Sequence, residues 1–252
     1  AWAMEAPGSA GCAGAGGSTR VISTRLFSGN HRHHKQAASR RSSGCWWPEA
    51  AARSKDQPYI VGMGPLTKLD VARRQLATAI GLCFDGADPV SVFSLAANAW
   101  EVIDALCTRA GVASASTETR GHLAAEKDLK RDHINSPFRN FFKHADRDPD
   151  SLLEGFKSSA VDPVLFLAVE DYIRTRGRSP VEFQVFQLWF LACHPEKVAT
   201  DRAGDVLDAT GRMFPGIASL PREGQIALGL RALEQARIDA GVLSDSRTEP
   251  AY

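Results

Sequence analysis

The chain has 252 residues, 44% of them hydrophobic and 23% charged, with a formal net charge of +1. That length suffices for one sizeable domain or two small ones, and the near-neutral balance excludes a global pull toward nucleic acid or a membrane surface. The five cysteines, Cys12, Cys45, Cys83, Cys107 and Cys193, are widely spaced and form no CxxC pair, which points to a reducing, cytoplasmic location rather than a disulfide framework.

Residues 1–62 differ from the rest. They are rich in Gly, Ala, Ser and Arg, hold eight Lys/Arg against three Asp/Glu, and show no periodicity. They read as a disordered, low-complexity tail, and HRHHK (His31 to Lys35) as a solvated basic tract. The composition also suits a transit peptide. The preferred reading is upstream sequence foreign to the natural protein, which would then start at Met63. The remaining residues carry 22 basic and 26 acidic side chains, so the globular part is mildly acidic.

Residues 63–243 read as one all-α domain, an antiparallel bundle of about five to seven helices, with 244–252 a frayed C-terminus. The first helix opens on Thr67, with Asp70 three residues on as a capping box, and places Leu69, Leu76, Ile80 and Phe84 at helical spacing. The second opens on Asp88-Pro89 and closes on Gly111. Its expected core face is Val92, Leu95, Ala96, Ala99, Ile103 and Leu106. Residues 112–121 read as a polar loop, and AAEKDLKRDHIN as a short charged helix. Ser136 and Pro137 then suit the cap and first position of a new helix. Ser151 and Glu154 suggest one further helical turn. Asp162-Pro163 opens a helix ending on Gly177, Ser179-Pro180-x-Glu182 opens another that Pro195 stops, and a last amphipathic helix runs to Gly241. No strand pattern occurs, and no run approaches the roughly 18 apolar residues that span a bilayer, so no membrane contact is expected.

Chemistry concentrates in SPFRNFFKHADRDPD, Ser136 to Asp150. At about 100° per residue, Phe138, Phe141 and Phe142 share one stripe. Arg139, Asn140, Lys143 and His144 share the opposite arc. A histidine titrates in the range needed for proton transfers, an arginine clamps phosphate in a bidentate way, and an Asn orients either group. Lys143, and Asn98 on the second helix, are expected in supporting roles, while Glu101 and Asp104 read as a solvated face. The series His144, Asp146, Asp148 and Asp150 lacks the glycine turn of a calcium loop and reads as a helix stop. His194 reads as a C-terminal cap favoured by the helix dipole. No Walker loop, GxGxxG, GxSxG or HExxH motif is present, so neither cofactor nor metal is expected.

RNFFKH, an arginine followed by Asn and then a histidine five positions on, resembles the motif of the HEPN superfamily, within roughly residues 66–195. The motif allows four to six residues between arginine and histidine, and Arg25 and His31 in the tail, with five between them, also fit it, so the helical context singles out Arg139. The resemblance implies a helical bundle, a homodimer that faces two motifs together, and one of two activities. Many such domains are metal-independent endoribonucleases, in which Arg139, Asn140 and His144 would act on RNA. Others have lost catalysis and bind a cognate partner, as in toxin–antitoxin or defence systems.

Overall fold

The computed structural model describes residues 64–198 and 203–250; the tail read from residues 1–62 lies outside them. The described residues are all-α. The helices are α1 (Lys68–Phe84), α2 (Pro89–Ala110), α3 (Ala115–His122), a π-helix (Leu129–Arg139) running into α4 (Asn140–Lys143), α5 (Asp162–Arg176), α6 (Val181–Cys193), α7 (Ala203–Met213), α8 (Arg222–Ile238) and α9 (Ala240–Ser244). Helices α1, α2, α5 and α6 form the central group, and α8 lies against α1 and α6.

Local chemistry explains where the central helices begin and end. Thr67 and Asp70 form the expected reciprocal capping box, which satisfies two of the amide donors orphaned at a helix start. Asp88 caps α2, accepting from the Val90 and Ser91 amides ahead of Pro89. Gly111 and Gly177 end α2 and α5 in the left-handed region, at φ 66° and 70°, where a Cβ is disfavoured. The core face of α2 holds Val92, Ala96, Ala99 and Ile103 as expected, together with Phe93 and Trp100, whereas Leu95 and Leu106 are half-buried. Aromatic rings knit the layers: Phe84 meets Trp189 edge-on at 5.3 Å, and Phe166 stacks on Phe190 at 4.2 Å. Gly229 on α8 sits so close to the Phe84 ring that a Cβ there would lie 2.3 Å from Cε1.

Several elements depart from expectation. The 112–121 stretch contains α3, because the buried Ser114 caps it by accepting from the Thr117 amide. The charged segment and the motif helix are continuous, since the helix starts at Leu129, capped by Asp128, and passes through Ser136 and Pro137. Ser136 is therefore no cap. No helical turn forms at Ser151–Glu154. Asp162 lies inside α5, and its carboxylate takes both terminal nitrogens of Arg222, at 2.6 and 2.8 Å. Pro180, without a side-chain cap, precedes α6. α7 had no counterpart in the sequence reading.

The C-terminal end is not frayed as far as Pro250. Thr248 and Glu249 are buried, and Thr248 forms an isolated parallel bridge with Ser179. α2 has 22 residues and a mean hydropathy of 1.3 in its most apolar window, long and apolar enough by those measures to cross a membrane. The sequence shows no unbroken run there because Asn98, Glu101 and Asp104 interrupt it. In this bundle α2 is the core helix between α1 and α5.

Candidate functional site

The motif segment approaches α2 through phenylalanines. Phe138 and Phe142 meet Phe93 edge-on at 5.4 and 5.8 Å, and Phe156 closes the cluster at 4.8 Å from Phe138 and 5.4 Å from Phe142. Phe141 stands apart from Phe93 and contacts Phe142 at 6.4 Å. Two of the three expected anchors therefore dock on the core.

The π-helix decides where the polar side chains go. Its i→i−5 pattern, seen at the bond from the Asn140 amide to the Asn135 carbonyl, adds a residue to the turn and changes the angular register. The 100° wheel does not apply across it. Pro137 within it lacks an N–H to donate to the ladder. Arg139, expected on the solvent arc, instead turns onto α2 and is only 13% exposed. One terminal nitrogen, Nη1, pairs with the Glu101 carboxylate and lies 3.3 Å from Asn135 Oδ1. Nη2 donates to Asn98 Oδ1 at 2.7 Å. The other Glu101 oxygen accepts from Lys130.

Glu101 thus bridges two cations. Burial works to raise its carboxyl, but hydrogen bonds from Lys130 and Arg139 outweigh it and hold the group below its ordinary value. The expectation of a solvated acidic face on α2 fails on both counts. Glu101 is the centre of this network, and Asp104 takes the Arg120 fork at 2.8 and 2.5 Å.

Asn98 and Arg139 are brought together. Arg139 and His144 are directed to different partners. His144 ends α4 as its C-cap residue, with its amide bonded to the Asn140 carbonyl at 3.0 Å. Its Nδ1 lies 3.7 Å from Asp146 Oδ1, and its side chain is 28% exposed. Asn140 is half-buried and Lys143 exposed. His194 caps α6 as expected, its ring 4.7 Å from Phe190. Among the described residues no cluster of three or more His, Cys, Asp or Glu side chains is placed to hold a metal ion.

Sequence reasoning missed Glu101, Lys130 and Asn135. The available signal was the spacing of Asn98 and Glu101, three apart and so neighbours on one helix face. It also missed a second buried network. The Trp100 indole donates to Ser116 Oγ at 2.8 Å. That hydroxyl in turn donates to the fully buried Asp171 at 2.6 Å, and the Ser116 amide adds a bond of 3.1 Å. Burial pushes the Asp171 carboxyl up to about 6, against the pull of the Ser116 bonds.

Comparison with protein-family models, with curated proteins and with solved structures finds no match to this chain.

Proposed function

We propose that this chain is a HEPN-like helical interaction module, non-catalytic, that acts as a homodimer on a cognate protein partner in the cytoplasm. The observation that carries this reading is the engagement of Arg139. Its guanidinium is committed to Glu101, Asn98 and Asn135, so it fastens the motif helix to α2. A phosphate entering here would have to displace a carboxylate already paired to two cations. The mildly acidic globular part also favours a protein partner over RNA. The buried thiols Cys83 and Cys107 are unpaired, which fits a reducing compartment.

A second reading, metal-independent RNA cleavage, is favoured by one arrangement. Asn140, Lys143 and His144 all reach solvent at the end of the motif helix, where a dimer would face two imidazoles together. The test is incubation of the full chain with labelled single-stranded RNA in the presence of a chelator, beside His144→Ala. The module predicts no cleavage by either protein. Cleavage by the unaltered chain that disappears in a folded His144→Ala variant establishes the second reading instead.

A further inference from the structure

Far along the sequence from the motif helix, the last described residues fill a groove made by α1, α5, the α5–α6 turn and α6. A turn at Asp245–Thr248, closed by the Thr248 amide on the Asp245 carbonyl at 2.9 Å, delivers Thr248–Pro250 in extended form beside Ser179. The Ser179 amide donates to the Arg247 carbonyl at 2.9 Å, and the Glu249 amide donates to the Ser179 carbonyl at 2.9 Å. Such main-chain pairing to a short exposed edge is the general way an extended peptide is bound, with side-chain pockets providing selectivity.

The pockets are present. Gln184 Nε2 donates to Thr248 Oγ1 at 3.0 Å and to the Ser179 carbonyl at 3.0 Å. Glu249, 4% exposed, enters a cradle of cations. Its Oε2 accepts from the Tyr172 hydroxyl at 2.7 Å and pairs with Arg73 Nε at 3.0 Å. Its Oε1 lies 3.4 Å from Arg176 Nε and 3.8 Å from Arg178 Nε. Arg73 also donates to the Pro250 carbonyl.

One carboxylate therefore meets three guanidiniums, and the cradle retains an excess of positive charge with Glu249 in place. Arg247 turns back onto Asp245, at 2.6 Å. The groove itself thus reads the main chain of the segment, including the Pro250 carbonyl, and the Thr248 and Glu249 side chains.

We propose that this groove is a recognition site for an extended acidic peptide of Thr-Glu-Pro type presented by a partner, and that the chain's own C-terminal segment is its tethered, inhibitory occupant. Arg73, Tyr172 and Arg176 select the glutamate, Gln184 selects the threonine, and Ser179 registers the backbone. The tether explains why the site is filled in the isolated chain. An attached ligand acts at an effective concentration on the order of mM, so a partner gains access only at high local concentration or when the tail is drawn away. The proposal stands apart from the role given to Arg139, because the two sites share no residue.

The test uses the full chain and a fluorescein-labelled peptide of residues 244–250, SDSRTEP. Glu249→Lys sets a cation against the three arginines and expels the tail. The folded variant is expected to bind the peptide at least about 10-fold more tightly than the unaltered chain, since the competing tether is gone. The peptide SDSRTQP is expected to bind at least about 10-fold more weakly, as the charge-assisted bonds are lost. Equal binding by variant and unaltered chain, or equal binding of the two peptides, overturns the proposal. Should Glu249→Lys fail to fold, hydrogen exchange on the unaltered chain decides. Unlabelled SDSRTEP at about 5 mM, above the tether's effective concentration, is expected to expose the Glu249 amide while Ser179 stays protected by the incoming peptide. Unchanged exchange at Glu249, or loss of protection at Ser179 as well, overturns it.

Discussion

A double-mutant cycle on Asn98 and Arg139 tests whether Arg139 is a fastening. The bond from Nη2 to Asn98 Oδ1 is 2.7 Å long, and Arg139 is only 13% exposed. A hydrogen bond to a charged group contributes about 1.5–3 kcal/mol, and the partial burial here limits screening by water. Arg139→Ala removes this bond and the Glu101 and Asn135 contacts together, for an expected loss of about 3 kcal/mol. Asn98→Ala alone should cost about 1.5–2 kcal/mol. Because both changes delete the same bond, the double variant should be about 1–2 kcal/mol more stable than the sum of the singles implies. Arg139→Lys keeps the charge but loses the planar fork. It should reach Glu101 and not Asn98, costing about 2 kcal/mol, or about 4–8 °C in Tm for a domain of this size. Urea unfolding followed by the fluorescence of buried Trp100 and Trp189 reads all four proteins. Additivity within about 0.3 kcal/mol, or a neutral Arg139→Lys, would show that Arg139 does not hold the helix and would return it to the pool of groups available to a ligand.

Two further outcomes follow from the interior. Gly229→Ala places a Cβ 2.3 Å from Phe84 Cε1. Thermal melts should show a loss of about 1–3 kcal/mol from overpacking, although alanine is the better helix former; a rise in Tm would mean that α8 and Phe84 separate freely. Asp171 concerns pH. Its folded carboxyl is raised from 3.8 to about 6, so between those values the folded state keeps a proton that the unfolded state has released. Its contribution is therefore fully present below pH 4 and is lost as pH rises through about 6, an effect of about 3 kcal/mol. Asp171→Asn should flatten that portion of the stability–pH curve measured by urea unfolding, and an unchanged slope between pH 4 and 6 would refute the assignment.

The legible parts of this protein are those governed by neighbouring residues. Thr67 with Asp70, Asp88 with Pro89, and Gly111 and Gly177 mark helix ends because capping and left-handed turns are local events. The same local rules failed where a distant partner outbid them. Ser179, with Glu182 three positions on, looked like a capping box. Its backbone instead binds the C-terminal segment, more than sixty residues away. Asp162 looked like a cap and instead binds Arg222 on α8. Ser136-Pro137 looked like a helix start, but a helix capped by Asp128 and begun at Leu129 ran through it.

The candidate site divides along the same line. The sequence by itself determined that the described chain is helical and that a phenylalanine stripe anchors the motif helix, and it offered Asn98 as a supporting residue. Packing decided that Phe138 and Phe142, rather than Phe141, dock on Phe93 and that Asn98 meets Arg139. Tertiary structure decided what Arg139 does. The π-helix changes the register of the side chains by one residue per widened turn, and Glu101 on α2 stands where the guanidinium then arrives. Tertiary structure alone also brought Glu249 to Arg73, Tyr172 and Arg176, because no helical period links residues so far apart in the chain. Periodicity reports which face of a helix is apolar; which charge meets which is settled only when the helices pack.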